Sequence, residues 1–515
     1  MSVATLKPEN SIPTFYVGRS IFITGATGFM GKVLIEKLLR SCPDIENIFL
    51  LMRPKKGISI DDRLRIMLSI PLFDRIRKER PNFADKLIPI TGDVAAESLG
   101  LPPLERKVLV EKVSVIFHVA ANVRFDDSLK NATFVNTRSA RDVCILGSQM
   151  KKLVALVHVS TSYSQADKPC VEEKIYPINV DWKKTIRIAE NVDDHVLRTL
   201  TPKYMDSFPN TYTFTKRLAE QVISDYSSTI PSVIFRPSIV ISSLVEPVEG
   251  WIDNFNGPVG MLVGGGKGVL RVIRLDSKII SDFIPVDVAI KAMIIASWKR
   301  GLQTITRDSS IHVYNCCSAD VKAVSTSEVI EMGLKVNKEI PLDGVLWFPS
   351  VTIVKDKTLF YLMMLIYHLL PAYFIDGLLK AAGKKPMLVR IQRKVYNAIS
   401  SLEYFLMNVW KFKNKNFLDL LENLPPNDVA DFGYAYFSLD ISEYFRNCII
   451  GAKKYLLKEK MENLKASKIH YERMRWVARI FRGWSIIFIS WLLFKIGVVN
   501  YFFRTVQDIV DIFQA

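Results

Sequence analysis

Ser20-Ile21-Phe22-Ile23-Thr24-Gly25-Ala26-Thr27-Gly28-Phe29-Met30-Gly31 is the stretch whose reading decides the fold. Ile21, Phe22 and Ile23 read as a buried strand, and glycines at a spacing of three follow at once. Lys32-Val33-Leu34-Ile35-Glu36-Lys37-Leu38-Leu39 then opens a helical pattern. Glycine tolerates the angles of a tight turn and lets backbone approach a phosphate, while the first helical N–H groups and the helix dipole receive its charge. A glycine triplet alone is a weak signal; the strand before it and the helix after it supply the context. Gly25, Gly28 and Gly31, with Thr27, Phe29 and Met30 between them, are therefore expected to hold a dinucleotide. The fold class that follows is α/β, a Rossmann-type doubly wound parallel sheet.

Outward from that turn, Ile48-Phe49-Leu50-Leu51-Met52 reads as the next strand and ends in Arg53-Pro54-Lys55-Lys56. An acidic residue here would hydrogen-bond the adenosine ribose and favour NAD, whereas a cation favours the 2′-phosphate. Arg53 and the lysines behind it point to NADPH; the plainer alternative is a solvated basic loop. Leu87 to Val94 reads as a third strand that brings Asp93 and Val94 to the adenine. Val115 to Asn122 is a fourth, ending in small residues, Ala120 among them, where a cofactor backbone passes. His118 inside it is expected to be a packed histidine, not a catalyst.

The chemistry falls in the next two pieces. Leu153 to Val159 is a strand that runs into Ser160-Thr161-Ser162-Tyr163-Ser164, a hydroxyl cluster where parallel sheets bind ligands. Pro209-Asn210-Thr211-Tyr212-Thr213-Phe214-Thr215-Lys216 follows, and on a helix Tyr212 and Lys216 share one face. A nearby ammonium favours the phenolate, which equips Tyr212 to give a proton to an oxygen that receives a hydride. Ser162 is expected to hold that oxygen, with Thr161 in reserve, because alternation along an ending strand points them to opposite faces. Lys216 also counts among the cofactor contacts. Arg236 and Pro237 follow another strand, where their loop is expected against the nicotinamide.

These motifs resemble the extended short-chain dehydrogenase/reductase superfamily. The wording of Pro209 to Lys216 resembles the fatty acyl-CoA reductases, insect-type members included. So do Phe235-Arg236-Pro237-Ser238-Ile239-Val240, Gly250-Trp251-Ile252-Asp253-Asn254, Asp282-Phe283-Ile284-Pro285-Val286-Asp287, Gly383-Lys384-Lys385-Pro386 and the Trp410-Lys411-Phe412 region. One departure is Asp440-Ile441-Ser442-Glu443-Tyr444, where family members tend to carry a tryptophan before the tyrosine. The resemblance implies an alcohol-forming enzyme that reduces a long-chain acyl-CoA to a primary alcohol and CoA through an aldehyde-level intermediate. The alternatives are a sterol or other lipid dehydrogenase of the superfamily, or a non-catalytic scaffold that binds nucleotide and membrane. Trp251 and Asn254 line an acyl pocket or hold a loop; the sequence leaves both open.

Composition sets the outer limits. At 515 residues the chain exceeds one simple domain, and a 49% hydrophobic fraction with mean hydropathy +0.16 suits a globular protein with some membrane attachment. The net charge of +17 calls for an anionic partner, and without a nucleic-acid motif membrane lipid and nucleotide are expected, not nucleic acid. Six scattered cysteines have neither zinc nor disulfide spacing, so a reducing compartment and no metal are expected. Met1 to Phe15 lacks the pattern of a secretory signal. The expected domains are an N-terminal extension at 1–16, a reductase domain at 17–320, a mainly helical domain at 345–465 and an anchor at 484–503. Whether the chain is a homo-oligomer is left open.

Two apolar stretches bear on the membrane. Leu359 to Leu370 is expected to be cut short by Pro371 and Asp376, below the roughly 20 residues of a spanning helix. Core helix, acyl-channel wall and membrane-dipping segment all fit it. Trp484 to Phe503 is long enough to cross a core of about 30 Å. Lys495 within it costs about 2.5–3.5 kcal/mol, offset by a dozen Ile, Leu, Phe and Val residues at about −0.3 to −0.6 kcal/mol each. Cations from Lys465 to Arg482 precede it, so a single-pass C-terminal anchor with a cytosolic catalytic domain is expected. A helix lying in the interface is the second reading. Ile512-Phe513-Gln514-Ala515 is no Ser-Lys-Leu-type address, which favours the endoplasmic reticulum over the peroxisome.

Overall fold

The computed structural model describes residues 11–495 and 497, apart from 56, 306–309, 319–322 and 435–439. Seven strands build the central sheet: β1 (Ser20–Thr24), β2 (Asn47–Met52), β3 (Leu87–Thr91), β4 (Val113–His118), β5 (Ala155–Val159), β6 (Ser232–Pro237) and β7 (His312–Cys316). All pair in parallel in the order β7-β6-β5-β4-β1-β2-β3. The order reverses between β1 and β4, the switch point at which open α/β sheets bind ligands. The glycine turn leaves β1 at that point.

Both faces of the sheet are covered, which is why its strands are apolar throughout. On one side Ile21, Ile23, Val115 and Phe117 pack with α1 (Phe29–Ser41) and with the long helix that begins at Val286. On the other side Phe22, Ile116 and Leu156 pack with α2 (Ser139–Ser148) and α3 (Thr211–Asp225). The alternation of Ile21, Phe22 and Ile23 between the two cores is the period of two that a strand imposes. We call the helix Val286–Ile305 α4. Asp287 stands in its first turn, and its carboxylate accepts the backbone N–H of Leu244, Val245 and Glu246 and so holds that loop.

Beyond β7 the chain is mainly helical, and it remains tied to the sheet. Phe417, Leu420, Phe432 and Tyr434 lie in the same core as α1 and α4. Lys411–Phe412 pairs in parallel with Cys170–Val171. The expected break at Pro371 does not occur. A single helix runs Lys357–Ala381 through it, because a π-helical turn at Leu365–Leu369 precedes Pro371 and leaves it at the start of the next α-helical segment, where a proline is tolerated. Asp376 does not end the helix either. Its carboxylate accepts the N–H groups of Met387, Leu388 and Val389, opening α5 (Leu388–Met407) beside it.

Two more helices follow, α6 (Ile441–Gly451) and α7 (Leu464–Lys495). In α6, where the sequence departs from its relatives' pattern, Tyr444 is buried and donates to the Ser242 carbonyl. In the C-terminal half of α7, Trp484, Ile486, Ile487, Phe488, Trp491, Leu492 and Phe494 are exposed. Among the described residues the one helix long and apolar enough to cross a membrane is mid-chain, Lys357–Ala381. Residues 498–503 of the expected anchor, the tail after them, Lys56 and the first ten residues of the N-terminal extension lie outside the described residues.

Candidate active site

At the switch point Gly25 has φ +77°, and a Cβ there would stand 2.6 Å from the Ala120 nitrogen. The turn from β1 and the end of β4 therefore touch backbone to backbone. A side chain on Gly31 would meet the Gly25 carbonyl, so α1 packs directly under the turn. The N-cap of α1 is Gly28, with no side-chain cap and no acid in the first turn, so its first N–H groups are left for an anion. The cradle that a dinucleotide pyrophosphate needs is present. Phe29, at the first helical position, stacks on Trp251 with centroids 5.4 Å apart. Trp251 is thereby used to hold its loop on the helix, which favours the second of its two readings.

At the far end of this groove, Arg53 leaves β2 and makes an ion pair of 2.9 Å with Asp93 beyond β3. Asp93 also accepts from the Ala95 N–H, so the carboxylate expected at the adenine is shared with Arg53. Arg63, which the sequence reading passed over, donates to the Arg53 carbonyl. An open cleft of ≈ 340 Å³ beside the glycine turn is lined by Thr27, Lys32, Lys55, Ile58, Arg63 and Met67. It gathers cations from α1, from the loop after β2 and from the helix after that loop.

β5 ends at Val159, and the chain passes through Ser160 and Thr161 into a 3-10 turn at Ser162–Gln165. Thr161 caps that turn, and its side chain is the neighbour that pulls the Tyr212 phenol down. Ser162 faces away. Buried, it donates to the Arg236 carbonyl at 2.9 Å and contacts the Cys317 thiol. Strand alternation stops where the turn begins, so it does not place the two hydroxyls: Ser162 is engaged by the Arg236 carbonyl, and Thr161 is the one that acts on the tyrosine. Asn210 caps α3, so Tyr212 stands in its first turn with Lys216 one turn on. Burial pushes the phenol of Tyr212 up to about 12, against the pull of Thr161. Burial also brings Lys216 down to about 7, against the pull of Glu220, and its ammonium donates to the Val159 carbonyl at 2.7 Å.

Arg236 departs from expectation. Its side chain is fully buried and paired with Glu220 through two bonds of 2.9 and 2.7 Å, and it donates to the Glu172 and Lys174 carbonyls. Glu220 accepts from Ser160, Ser164 and Gln165 as well. Burial raises this carboxyl, but Arg236 and the hydroxyls outweigh it and hold the group below its ordinary range. The guanidinium is thus bonded within the frame under the site. Pro237 ends β6 beside it. Tyr212, Lys216 and Glu220 recur every four residues, a helical stripe through which Glu220 was already visible in the sequence.

His118 is packed, as expected. Its ring nitrogens meet the Thr24 and Ser139 hydroxyls, and burial, with Lys216 adding to it, pushes it down to about 3. Asn136, in a π-helical turn before α2, bonds Thr215 and the Asn122 backbone, and no pattern in the sequence announced it. Over the tyrosine lies an aromatic wall. Phe125 stacks on Tyr212 at 5.8 Å, and Phe405 of α5 packs against Phe125, Tyr163 and Trp410. One end of the groove thus suits a dinucleotide, and the other offers an apolar surface beside a proton-bearing phenol.

Comparison with known proteins agrees with this arrangement. A family model for NAD binding, described as male sterility protein, matches residues 23–293, and a second with the same description matches 367–459. Fatty acyl-CoA reductase 1 of Gallus gallus is 37% identical over 484 residues, covering 94% of this chain and 93% of that protein. The Homo sapiens protein of that name gives the same identity and coverage, and that of Xenopus laevis is 38% identical over 90% of both chains. Among solved structures, the terminal R domain of the myxalamid PKS-NRPS pathway superposes with TM-score 0.56 at 19% identity, over 85% of this chain and 91% of that one. The reductase (R) domain of a nonribosomal peptide synthetase from Mycobacterium tuberculosis gives 0.54 at 16%, over 87% and 96%. At these identities the structures speak for the fold alone.

Proposed function

We propose, from the premise that the chain belongs to the fatty acyl-CoA reductase family and is an oxidoreductase with an NAD(P)-binding domain, that it reduces a long-chain acyl-CoA to the primary alcohol with NADPH. The observation that carries this reading is Tyr212 in the first turn of α3, one helical turn from a buried Lys216 that is tied to the end of β5, where Thr161 follows. The cofactor supplies the hydride when bound, once to the thioester and once to the aldehyde. Gly25, Thr27, Gly28, Phe29, Met30 and Gly31 are assigned to its pyrophosphate. Val94, Ala120 and Pro237 line its course by backbone.

The preference for NADPH rests on Arg53, Lys55 and Arg63, cations at the end of β2 where a 2′-phosphate would stand. At the other end Thr161 holds the substrate oxygen through its hydroxyl. Tyr212 carries the proton at its phenol oxygen and delivers it to the same oxygen as charge develops there. In the first reduction the resulting hemithioacetal collapses: its hydroxyl proton is lost as the carbonyl re-forms, the carbon–sulfur bond breaks and the sulfur takes up a proton, so coenzyme A leaves as the thiol and an aldehyde remains; Tyr212 regains its proton from solvent, and in the second reduction the protonated oxygen is the alcohol. Lys216 favours the phenolate left behind on Tyr212. Phe125 and Phe405 form an apolar wall for the acyl tail.

The cationic run before Trp484 and the exposed apolar half of α7 support a C-terminal anchor with the catalytic part on the cytosolic side. Lipid analysis of cells that express the chain tests the reading. New primary fatty alcohols should appear beside an empty-vector control, and their lengths report the acyl preference. A changed sterol profile with no new alcohol would replace it with the sterol reading.

A further inference from the structure

Helix Lys357–Ala381 buries one stripe, Phe360, Met364, His368, Ala372 and Asp376, each four residues after the last. A straight α-helix would let such a stripe wind round its axis, since 3.6 residues make a turn; the wider turn at Leu365–Leu369 keeps it on one side. Two polar groups fasten that side to the protein. His368 Nε2 accepts the N–H of Arg271 and Val272 at 3.2 and 3.1 Å. Asp376 accepts three N–H groups at the start of α5, each at 2.9 Å. On the outer side Leu362, Ile366, Leu370, Tyr373, Phe374 and Leu378 stand in the open, Phe374 to 69% of its surface.

We propose that this outer face docks on an anionic lipid bilayer, so that the helix lies in the membrane interface instead of crossing it. Length and composition alone would let it cross. The five hydrogen bonds on its inner stripe forbid that, because a spanning helix would have to leave the protein and abandon them in hydrocarbon. An apolar face of this size on a surface helix marks an interaction site, and its surroundings identify the partner. Residues 380–394 carry six cations, Lys380, Lys384, Lys385, Arg390, Arg393 and Lys394, all exposed, and no acid. Apolar outer face and basic border together are the mark of an interfacial helix on anionic lipid. A second copy of the chain is the poorer occupant, since pairing these faces would bring two such cation sets together.

The docking face adjoins the helix that leads to the expected anchor. Arg271 lies over Trp347 and Tyr367, and Trp347 packs edge-on against Phe481 of α7 at 5.6 Å. From the hairpin turn, α5 runs about 27 Å, at about 1.5 Å per residue, from Leu388 to Phe405 in the aromatic wall beside Tyr212. The inference rests on the helix itself, not on the proposed reaction or on the C-terminal anchor, and its test reads neither.

The test uses the full chain with Cys170, its exposed cysteine, changed to serine, and an environment-sensitive NBD fluorophore on Phe374→Cys. Leu104→Cys, on an exposed position, is the reference. With vesicles of phosphatidylcholine and phosphatidylserine, emission at 374 should rise several-fold, shift to the blue and be quenched by lipid-borne nitroxide, while emission at 104 stays as in water. Lys384→Glu with Lys385→Glu should reduce the response. Only preparations whose circular dichroism and thermal melt match the parent's are compared. An aqueous signal at 374 on vesicle-bound protein, or no vesicle binding at all, overturns the proposal. So does a blue shift that grows with protein concentration without vesicles, which would mean a second copy covers the face.

Discussion

The Lys216 ammonium donates to the carbonyl of Val159, the last residue of β5, at 2.7 Å. The bond ties α3 to the strand end that carries Thr161. It also places a cation inside the fold, where burial lowers it to about 7. Lysine loses its proton as pH rises, so the form proposed to favour the Tyr212 phenolate is depleted above neutrality. The kcat/KM profile should fall as pH rises through about 7, and Lys216→Arg should move any remaining activity's fall upward, since guanidinium stays charged. The unfolded chain holds this proton more tightly, so Lys216 makes folding stability rise with pH between about 7 and the ordinary 10.5. A pH–rate profile that is flat through that window would remove Lys216 from the proton chemistry.

Thr161 and Ser162 separate two roles that adjacent hydroxyls could have shared. Thr161→Ala should lower turnover by about 10²-fold, the scale of a lost oxyanion donor, with NADPH binding little changed. Ser162→Ala removes a buried bond to the Arg236 carbonyl and should cost about 1 kcal/mol of stability, with turnover within a few-fold of the parent. Steady-state kinetics and thermal melts on the two variants check this; the reverse pattern would return the oxyanion to Ser162.

Arg53 meets Asp93 at the outer end of the groove, and the pair is exposed, so its own contribution to stability is small. Its proposed purpose is the 2′-phosphate. Arg53→Ala should raise KM for NADPH by at least about tenfold, the loss of one charge-assisted bond of roughly 1.5–3 kcal/mol, and leave NADH use nearly unchanged. Arg63→Ala should act in the same direction. Equal use of NADPH and NADH by the parent enzyme would defeat the assignment.

Arg236 is a matter of folding. With its guanidinium removed, Glu220 keeps a buried charge and loses its strongest partner. Arg236→Met should destabilise the fold by about 3–5 kcal/mol, read by denaturant or thermal melts. Cofactor affinity of the material that folds should match the parent. A large loss of affinity with unchanged stability would place Arg236 at the nicotinamide after all.

These contrasts show what the sequence can and cannot reveal. The turn at Gly25 and the stripe from Tyr212 to Lys216 are local patterns, set by a period of three or four residues, and the structure shows them as a tight turn and one helix face. Thr161 and Ser162 could not be ranked from the sequence because alternation holds only while the strand lasts, and β5 stops at Val159. Arg236 was placed by its neighbours in the chain, yet its partner Glu220 stands on another element. Pro371 looked like a breaker because the π-helical turn before it leaves no mark in the residue pattern. The relation of Phe405 to Tyr212, through Phe125, spans most of the chain and has no periodicity to read.

The central claim is that Tyr212 donates the proton in a two-step reduction of an acyl-CoA to an alcohol. It is tested most directly by incubating the purified, vesicle-bound protein with a long-chain acyl-CoA and NADPH, and counting NADPH consumed against alcohol formed, for the parent and for Tyr212→Phe. The account predicts about two NADPH per alcohol in the parent, and at least about a 10²-fold loss of alcohol formation in Tyr212→Phe with NADPH still bound. No alcohol from the parent, or near-parent alcohol formation by Tyr212→Phe, would contradict it.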